Sequence, residues 1–269
     1  MTAALPARVL GRKQSIRDLA TWQAAAAGAR DLWPDPLLNR LIDQTVETIR
    51  TVARTRHVAY AWSGGKDSLA LQQVMAYAGI HECVLGISNL EYPAMLAWVT
   101  RHMPDGLSVE STGQDLHWLK AHPMMLFPQH QYGPRWFQIV QHKVQRDYFA
   151  ANRLDLLALG RRHADGNYTG PAGLDRYTDR HGTVRWSPIA HWSHEAVLAL
   201  LTRERVELPP CYSWPRGFQV GTGSWPARQW TRSRDHGWCE VWEIDPSRVR
   251  EAATVLPEAA DWMRRSEVE

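Results

Sequence analysis

The chain has only three cysteines in 269 residues, Cys83, Cys211 and Cys239, and no C-x-x-C pair. That spacing argues against a disulfide framework or a four-thiolate metal site, and it suits a reducing, cytoplasmic setting. The 12 histidines never fall in an H-E-x-x-H pattern, so no zinc site is expected. No apolar run reaches about 18 residues, which excludes a membrane-spanning helix. Residues 1–13 carry Arg8, Arg12 and Lys13 but no sustained apolar stretch, so no signal peptide is read there. Charge of one sign is missing too. The net charge of +3 is spread over 31 basic and 28 acidic residues, too even to argue for nucleic acid by itself. What is plentiful is tryptophan: 14 in all, with seven between Trp186 and Trp242. The 44% apolar share supports a full core in one large domain, or in a domain with an appended lobe.

The most informative stretch is Ala61-Trp62-Ser63-Gly64-Gly65-Lys66-Asp67-Ser68. It follows the apolar run His57-Val58-Ala59-Tyr60, read as a buried strand. It precedes residues 69–77, whose apolar spacing predicts a helix. A strand-to-helix turn with two glycines, a lysine and two hydroxyls suits a phosphate. Glycines let backbone N–H groups approach an anion, and the helix N-terminus adds partial positive charge. Lys66 supplies a full charge, and Ser63 and Ser68 supply donors. Asp67 is the odd member, because a carboxylate repels phosphate; it reads either as a Mg²⁺ anchor or as the helix cap.

Elsewhere, helical spacing runs through Leu38, Leu41, Ile42, Val46, Ile49 and Val52. Further strands are expected at 83–87, 107–110, 154–160 and 184–189, with helices at 92–103 and 136–151. Ser193 reads as the cap of a helix over 195–204. Residues 205–240 read as irregular, and two short helices at 247–255 and 257–265 close the chain. Strands alternating with helices predict an α/β fold, an open, mostly parallel twisted sheet with helices on both faces. The expected divisions are an N-terminal helical arm over 1–35, a nucleotide-binding α/β domain over 36–204 and a Trp/Arg-rich, substrate-facing lobe over 205–269.

Ser63-Gly64-Gly65-Lys66-Asp67-Ser68 is not a Walker loop. It resembles the PP-loop of the adenine nucleotide α-hydrolase superfamily, and the likeness extends along the chain to sulfonucleotide reductases and the small subunit of ATP sulfurylase. Tyr92-Pro93, after the second strand, fits an aromatic-Pro pair of that family. Ser88 stands for a family threonine, while the family's acidic residue falls on Ile87. Lys143 lies where the family has a phosphate-facing lysine. Gly160-Arg161-Arg162-His163-Ala164-Asp165 resembles G-x-R-x-x-E with Asp for Glu. Ser187-Pro188-Ile189-Ala190-His191-Trp192-Ser193 and Leu208-Pro209-Pro210-Cys211-Tyr212 resemble two later family segments.

The resemblance implies ATP with Mg²⁺, and cleavage between the α and β phosphates to adenylate an acceptor. The adenine edge would be the backbone of Ile87 and Ser88. The pyrophosphate would lie over residues 63–68 and near Gly160 and Arg161. Lys66, Asp67, Lys143 and Arg162 would be the catalytic residues. The acceptor, a sulfate-like group, a small metabolite or a nucleic-acid group, would meet Asp165, Arg228, Arg232, Arg234 and Cys239. A partner protein is a further expectation, as with ATP sulfurylase; a membrane is not.

Three departures shape the reading. The reductases' C-terminal Cys-Gly-x-His is absent. Where iron–sulfur relatives carry Gly-Cys-x-x-Cys-Thr, this chain reads Gly223-Ser224-Trp225-Pro226-Ala227-Arg228, so no iron–sulfur cluster is expected. The loop itself is intact, whereas true phosphoadenylylsulfate reductases have a degraded one. These favour ATP use. Two alternatives stand beside it: a reductase-like enzyme using Cys239, and a non-catalytic nucleotide- or nucleic-acid-binding protein. The second draws on the mixture of cations and aromatics over 228–238, which equally describes a packed tryptophan lobe with solvated arginines.

Overall fold

The computed structural model describes residues 18–267 except Asn167 and Trp230. The N-terminal readings over 1–17, and Trp230 of the Arg/Trp stretch, lie outside the described residues. Helices α1 (Asp18–Leu32) and α2 (Asp35–Ala53) lead into β1 (Val58–Ala61). Then come α3 (Lys66–Tyr77), β2 (Cys83–Ile87), α4 (Pro93–His102), β3 (Leu107–Ser111) and α5 (Leu116–Ala121). Short α6 (Arg135–Phe137) runs through a π-helical segment, Gln138–His142, into α7 (Lys143–Ala151). The strands β4 (Leu156–Ala158), β5 (Arg176–Thr178) and β6 (Val184–Trp186) precede α8 (His194–Arg203). The lobe holds α9 (Gly217–Val220), α10 (Arg234–Ile244), α11 (Pro246–Ala253) and α12 (Pro257–Arg265).

The six strands form one sheet in the order β3-β2-β1-β4-β6-β5, parallel except for β5. Parallel strands buried on both faces need continuous apolar runs. Val58, Ala59, Tyr60, Val84, Leu156, Leu157 and Ala158 supply them, all buried. From β1 the chain first builds outward to β2 and β3, then crosses to β4 on the other side. The turn after β1 therefore sits at the topological switch point, outside the carboxyl ends of the strands, where ligands bind in such sheets.

Two segments differ from the sequence reading. From Asp18 onward the expected arm is a core helix. Trp22 is 1% exposed and stacks on Phe218 with ring centroids 4.8 Å apart. Truncating a ring buried like this typically costs about 3–5 kcal/mol. Residues 205–240, read as irregular, contain α9 and the first seven of the 11 residues of α10. The reason α10 is hard to read is Gly237, which looks like a helix breaker. A Cβ there would lie 2.4 Å from the Phe127 ring, so the glycine is where that ring packs against the helix.

Candidate functional site

The turn from β1 to α3 is held by its own side chains. The Ser63 N–H donates to Ser68 Oγ at 3.1 Å, the two hydroxyls meet at 3.2 Å, and Ser68 Oγ donates to the Gly65 carbonyl at 2.9 Å. Gly64 has φ +70°, and a Cβ on it would lie 2.8 Å from the Trp98 ring, so only glycine fits there. The N–H of Lys66 opens α3 and donates to the Tyr212 hydroxyl at 2.7 Å. That hydroxyl satisfies one of the donors a helix start leaves without an intrahelical partner.

Beneath the loop lies a buried cluster of four charges. The Lys66 ammonium, 4% exposed as a residue, donates to both Asp67 oxygens at 2.9 and 2.8 Å and reaches Asp165 at 3.4 Å. It also sits 5.1 Å from the centre of the Trp22 ring, so α1 supplies an aromatic face to this lysine. Arg162 is fully buried. It donates from Nε to Asp67 Oδ1 at 2.8 Å and to the Trp192 carbonyl at 3.0 Å, and lies 3.3 Å from Asp165. His194 closes the cluster from α8. Its Nε2 lies 3.1 Å from the Ala164 carbonyl, so that nitrogen carries the proton and Nδ1 accepts from Arg162 at 3.0 Å.

The charges tune one another. Burial works to raise the Asp67 carboxyl, but Arg162 and Lys66 beside it hold it well below the carboxylate range. Asp165 is raised, by burial and then by the Asp67 charge. Burial lowers Lys66, against the pull of Asp67. His194 is pushed down to about 3 by burial and by the neighbouring cations Arg162 and Lys66, so it is neutral.

This arrangement corrects several expectations. Asp67 is not the helix cap; Gly65 is, and it makes no side-chain capping bond. Nor does Asp67 fit a magnesium anchor, since Lys66 holds both of its oxygens and Arg162 shares one. Among the described residues no three His, Cys, Asp or Glu side chains gather into a metal-holding group. Lys143 is not brought to the loop. Its side chain is about half exposed and its ammonium pairs with Asp147, one helical turn on, at 2.6 Å. Arg161 turns the other way, to the Tyr168 carbonyl, the Tyr177 hydroxyl and, at 2.7 Å, His142 Nε2. Gly160 backs directly onto the Asp67 backbone.

The expected adenine edge is also already occupied. The Ile87 carbonyl accepts from the Thr112 N–H at 2.9 Å, and the Ser88 N–H donates to Glu91 Oε1 at 3.0 Å. The Ser88 hydroxyl donates to the same oxygen at 2.9 Å. Glu91 thus caps the edge and lines a narrow crevice of about 30 Å³ beside β2. Trp136, Val140, Gln141, Val220 and Ala227 also line it.

Of the expected acceptor residues, Asp165 belongs to the charge cluster. Arg228 is 2% exposed and holds Glu240 at 3.0 Å, and Arg216 holds the same carboxylate, so neither cation is free for a ligand. Trp225 and Trp238 are buried against Phe127. Arg232 is exposed, and Arg234 pairs with Glu258 at 2.5 Å. Both line a second, wider cleft with Phe127 and Tyr132. Cys239 is exposed on α10, while burial pushes the Cys211 thiol up to about 12.

Four residues of the site escaped the sequence reading. Tyr212 and His194 lie inside segments noted for other reasons, and Glu91 lies inside Leu90-Glu91-Tyr92-Pro93. Trp22 had no local signal.

A strand–loop–helix of this kind at the switch point of a parallel sheet defines a nucleotide-site architecture of the PP-loop type. The family model of the phosphoadenosine phosphosulfate reductase domain matches residues 57–220, and the chain belongs to that family. Among solved structures it is similar to phosphoadenylyl-sulfate reductase from Candida auris in a phosphate complex. The identity is 13% and the TM-score 0.47, over 65% of this chain and 89% of that one. It is also similar to the U34-tRNA thiolase NcsA of Methanococcus maripaludis with its [4Fe-4S] cluster (14%, TM-score 0.44, 84% and 80%). A third is the FMN adenylyltransferase of Candida glabrata with FMN and an ATP analogue (12%, TM-score 0.41, 68% and 66%). None of the curated proteins compared matches the chain. Among the described residues no helix is long and apolar enough to cross a membrane.

Proposed function

We propose that this chain is an ATP pyrophosphatase of the PP-loop type, which adenylates an acceptor. The acceptor oxygen attacks the α-phosphorus. The bond from that phosphorus to the bridging oxygen breaks, and pyrophosphate leaves with the electron pair. Such phosphoryl chemistry relies on positioning and charge stabilisation more than on covalent help.

The observation that carries the reading is the intact, internally braced loop from Ser63 to Ser68 at the switch point. The start of α3 adds partial positive charge, the Ser63, Gly65 and Lys66 N–H groups rest on the hydroxyls of Ser68, Ser63 and Tyr212, which an anion would displace, and a buried cation, Lys66, lies under the loop. Arg162 and Asp165 act here by fixing Lys66 and Asp67. An anionic acceptor would meet Arg232, exposed in the second cleft, whereas Arg234 there is paired with Glu258. The reductase-like alternative has less support: Cys239 stands outside the matched segment.

The test is incubation with α-labelled ATP and Mg²⁺, alone and with sulfate, tRNA or DNA, followed by separation of the products. AMP or an adenylated product with pyrophosphate is the expected result, and Lys66→Ala should lower its rate about 100-fold or more. ADP as the product, or full turnover by a folded Lys66→Ala variant, would overturn the assignment.

A further inference from the structure

We infer that the wider cleft of the C-terminal lobe holds a nucleotide unit of a single-stranded nucleic acid, its base against Tyr132 and its phosphate at Arg232 and Arg135. The inference rests on the proposed adenylation and deepens it by naming the class of the acceptor.

The cleft has the room and the rigidity for such a unit. Its volume is about 420 Å³, within the roughly 300–1,000 Å³ of small-molecule sites. Two stretches far apart in the chain, 124–132 and 231–234, line it. They are tied to each other directly. The Gln129 amide donates to the Thr231 carbonyl at 3.2 Å and to its hydroxyl at 3.0 Å. Arg234 donates to the Pro123 carbonyl at 2.7 Å. Phe127, in the lining, has φ +48°, a conformation that bulky residues rarely adopt. Its N–H donates to the Pro226 carbonyl at 2.8 Å, and its ring packs where Gly237 has no Cβ. Strain of this kind persists only where the surroundings hold it, and it gathers at ligand clamps and active sites.

The lining is divided in its chemistry. Met124, Leu126, Phe127 and Pro128 are apolar, and Tyr132 adds an aromatic ring. No Asp or Glu is among the described residues that line the cleft. Arg234 is answered by Glu258. Arg232 is exposed and has no ion pair among the described residues. Arg135 has none either, and its guanidinium lies 4.7 Å from the centre of the Tyr132 ring.

An apolar trough bordered by two uncompensated guanidiniums matches a ligand that joins a flat ring to an anion. A base with its phosphate is such a ligand, and every base has a face that can stack on an aromatic side chain. In a duplex both faces of a base are covered by its neighbours, so the unit must come from a single strand. An acidic peptide supplies the charge without the ring.

The experiment is fluorescence anisotropy with the full chain and labelled oligomers of about 12 units: single-stranded DNA, single-stranded RNA, the DNA duplex and oligoglutamate, at about 50 and about 200 mM salt. At least one single strand should bind about tenfold or more tighter than the duplex and the peptide. Tyr132→Ala should weaken it about 5- to 150-fold with the salt dependence unchanged, and Tyr132→Phe should restore it. Arg232→Gln should weaken it and lower the slope of log K against log salt by about 0.7. Thermal unfolding checks that each variant folds. Equal binding of the duplex, tighter binding of the peptide, or undiminished binding by both folded Tyr132→Ala and Arg232→Gln would overturn the inference. Pyrophosphate release from Mg-ATP should rise when the single strand is bound, and release indifferent to a bound strand would overturn the naming of the acceptor. ATP cleavage without strand binding would sink this inference and leave the proposed function standing. Strand binding without ATP cleavage would sink the proposed function and keep the cleft as a nucleic-acid site.

Discussion

Under the loop, every charge is answered from within the protein: Lys66 and Arg162 meet Asp67 and Asp165, and His194 is neutral between Arg162 and a carbonyl. Beside β2, one Glu91 oxygen takes both Ser88 donors, while the side-chain oxygen of Gln141 is buried with no hydrogen-bond partner among the described residues. The two regions flank the same sheet end and carry opposite designs. A saturated charge cluster fixes geometry, and it is costly to disturb because any one removal strands a partner. An unpartnered buried acceptor carries a desolvation cost that its surroundings do not offset. Substitutions in the first region should therefore lower stability, whereas removing the Gln141 acceptor should not.

The sharpest way to break the contrast is Arg162→Met. It keeps much of the apolar volume but leaves Asp67 and Asp165 facing each other with only Lys66 between them. Losing one partner of a buried pair typically costs about 3–5 kcal/mol. Urea unfolding should show a loss of that size. A loss below about 1 kcal/mol would mean that the cluster is not held as a unit.

The same contrast appears with pH. The His194 value of about 3 lies below its ordinary 6.5, so the folded state binds fewer protons between those values. Its contribution is complete above pH 6.5 and is lost as pH falls, by roughly 3 kcal/mol at pH 4. Around that imidazole stand Arg162, Lys66, Asp67 and Asp165, with the edge of Trp22, and burial with the two cations outweighs the pull of the Asp67 carboxylate. Glu91 runs the other way. Raised to about 7 from 4.5, it contributes below pH 4.5 and loses that contribution as pH rises through 7. Urea midpoints measured from pH 4 to 7 should thus fall toward acid in the wild type and flatten in His194→Gln, whose amide can keep both hydrogen bonds. An unflattened profile in that variant would assign the acid loss to other groups.

How far the sequence could be read follows from how local each signal is. The loop was legible because six adjacent residues carry it, and the strands because Val58 to Tyr60 and Leu154 to Leu159 are continuous apolar runs. Lys143 was misplaced because family position says nothing of helix phase, and only its four-residue spacing to Asp147 marked it as a surface pair. The stretch from Arg228 to Trp238 reads equally as ligand-facing cations or as a packed tryptophan lobe with solvated arginines; Trp225 and Trp238 do pack on Phe127, but Arg228 is buried against Glu240 rather than solvated. The contacts that complete the site are far apart in the chain: Lys66 with Tyr212, and Asp18, whose carboxylate accepts the Phe218 N–H at 3.0 Å. No local pattern reports such pairs.

The finest test of the contrast is the stability of Gln141→Leu. Replacing a buried acceptor that has no partner by an apolar side chain of similar size removes a desolvation cost and adds apolar contact with Trp136 and Val140. Unfolding in urea should leave the variant unchanged or more stable by up to about 1 kcal/mol. A loss of more than about 2 kcal/mol would place Gln141 with Arg162, among the groups the protein itself has paired, and the crevice would cease to differ from the cluster beneath the loop.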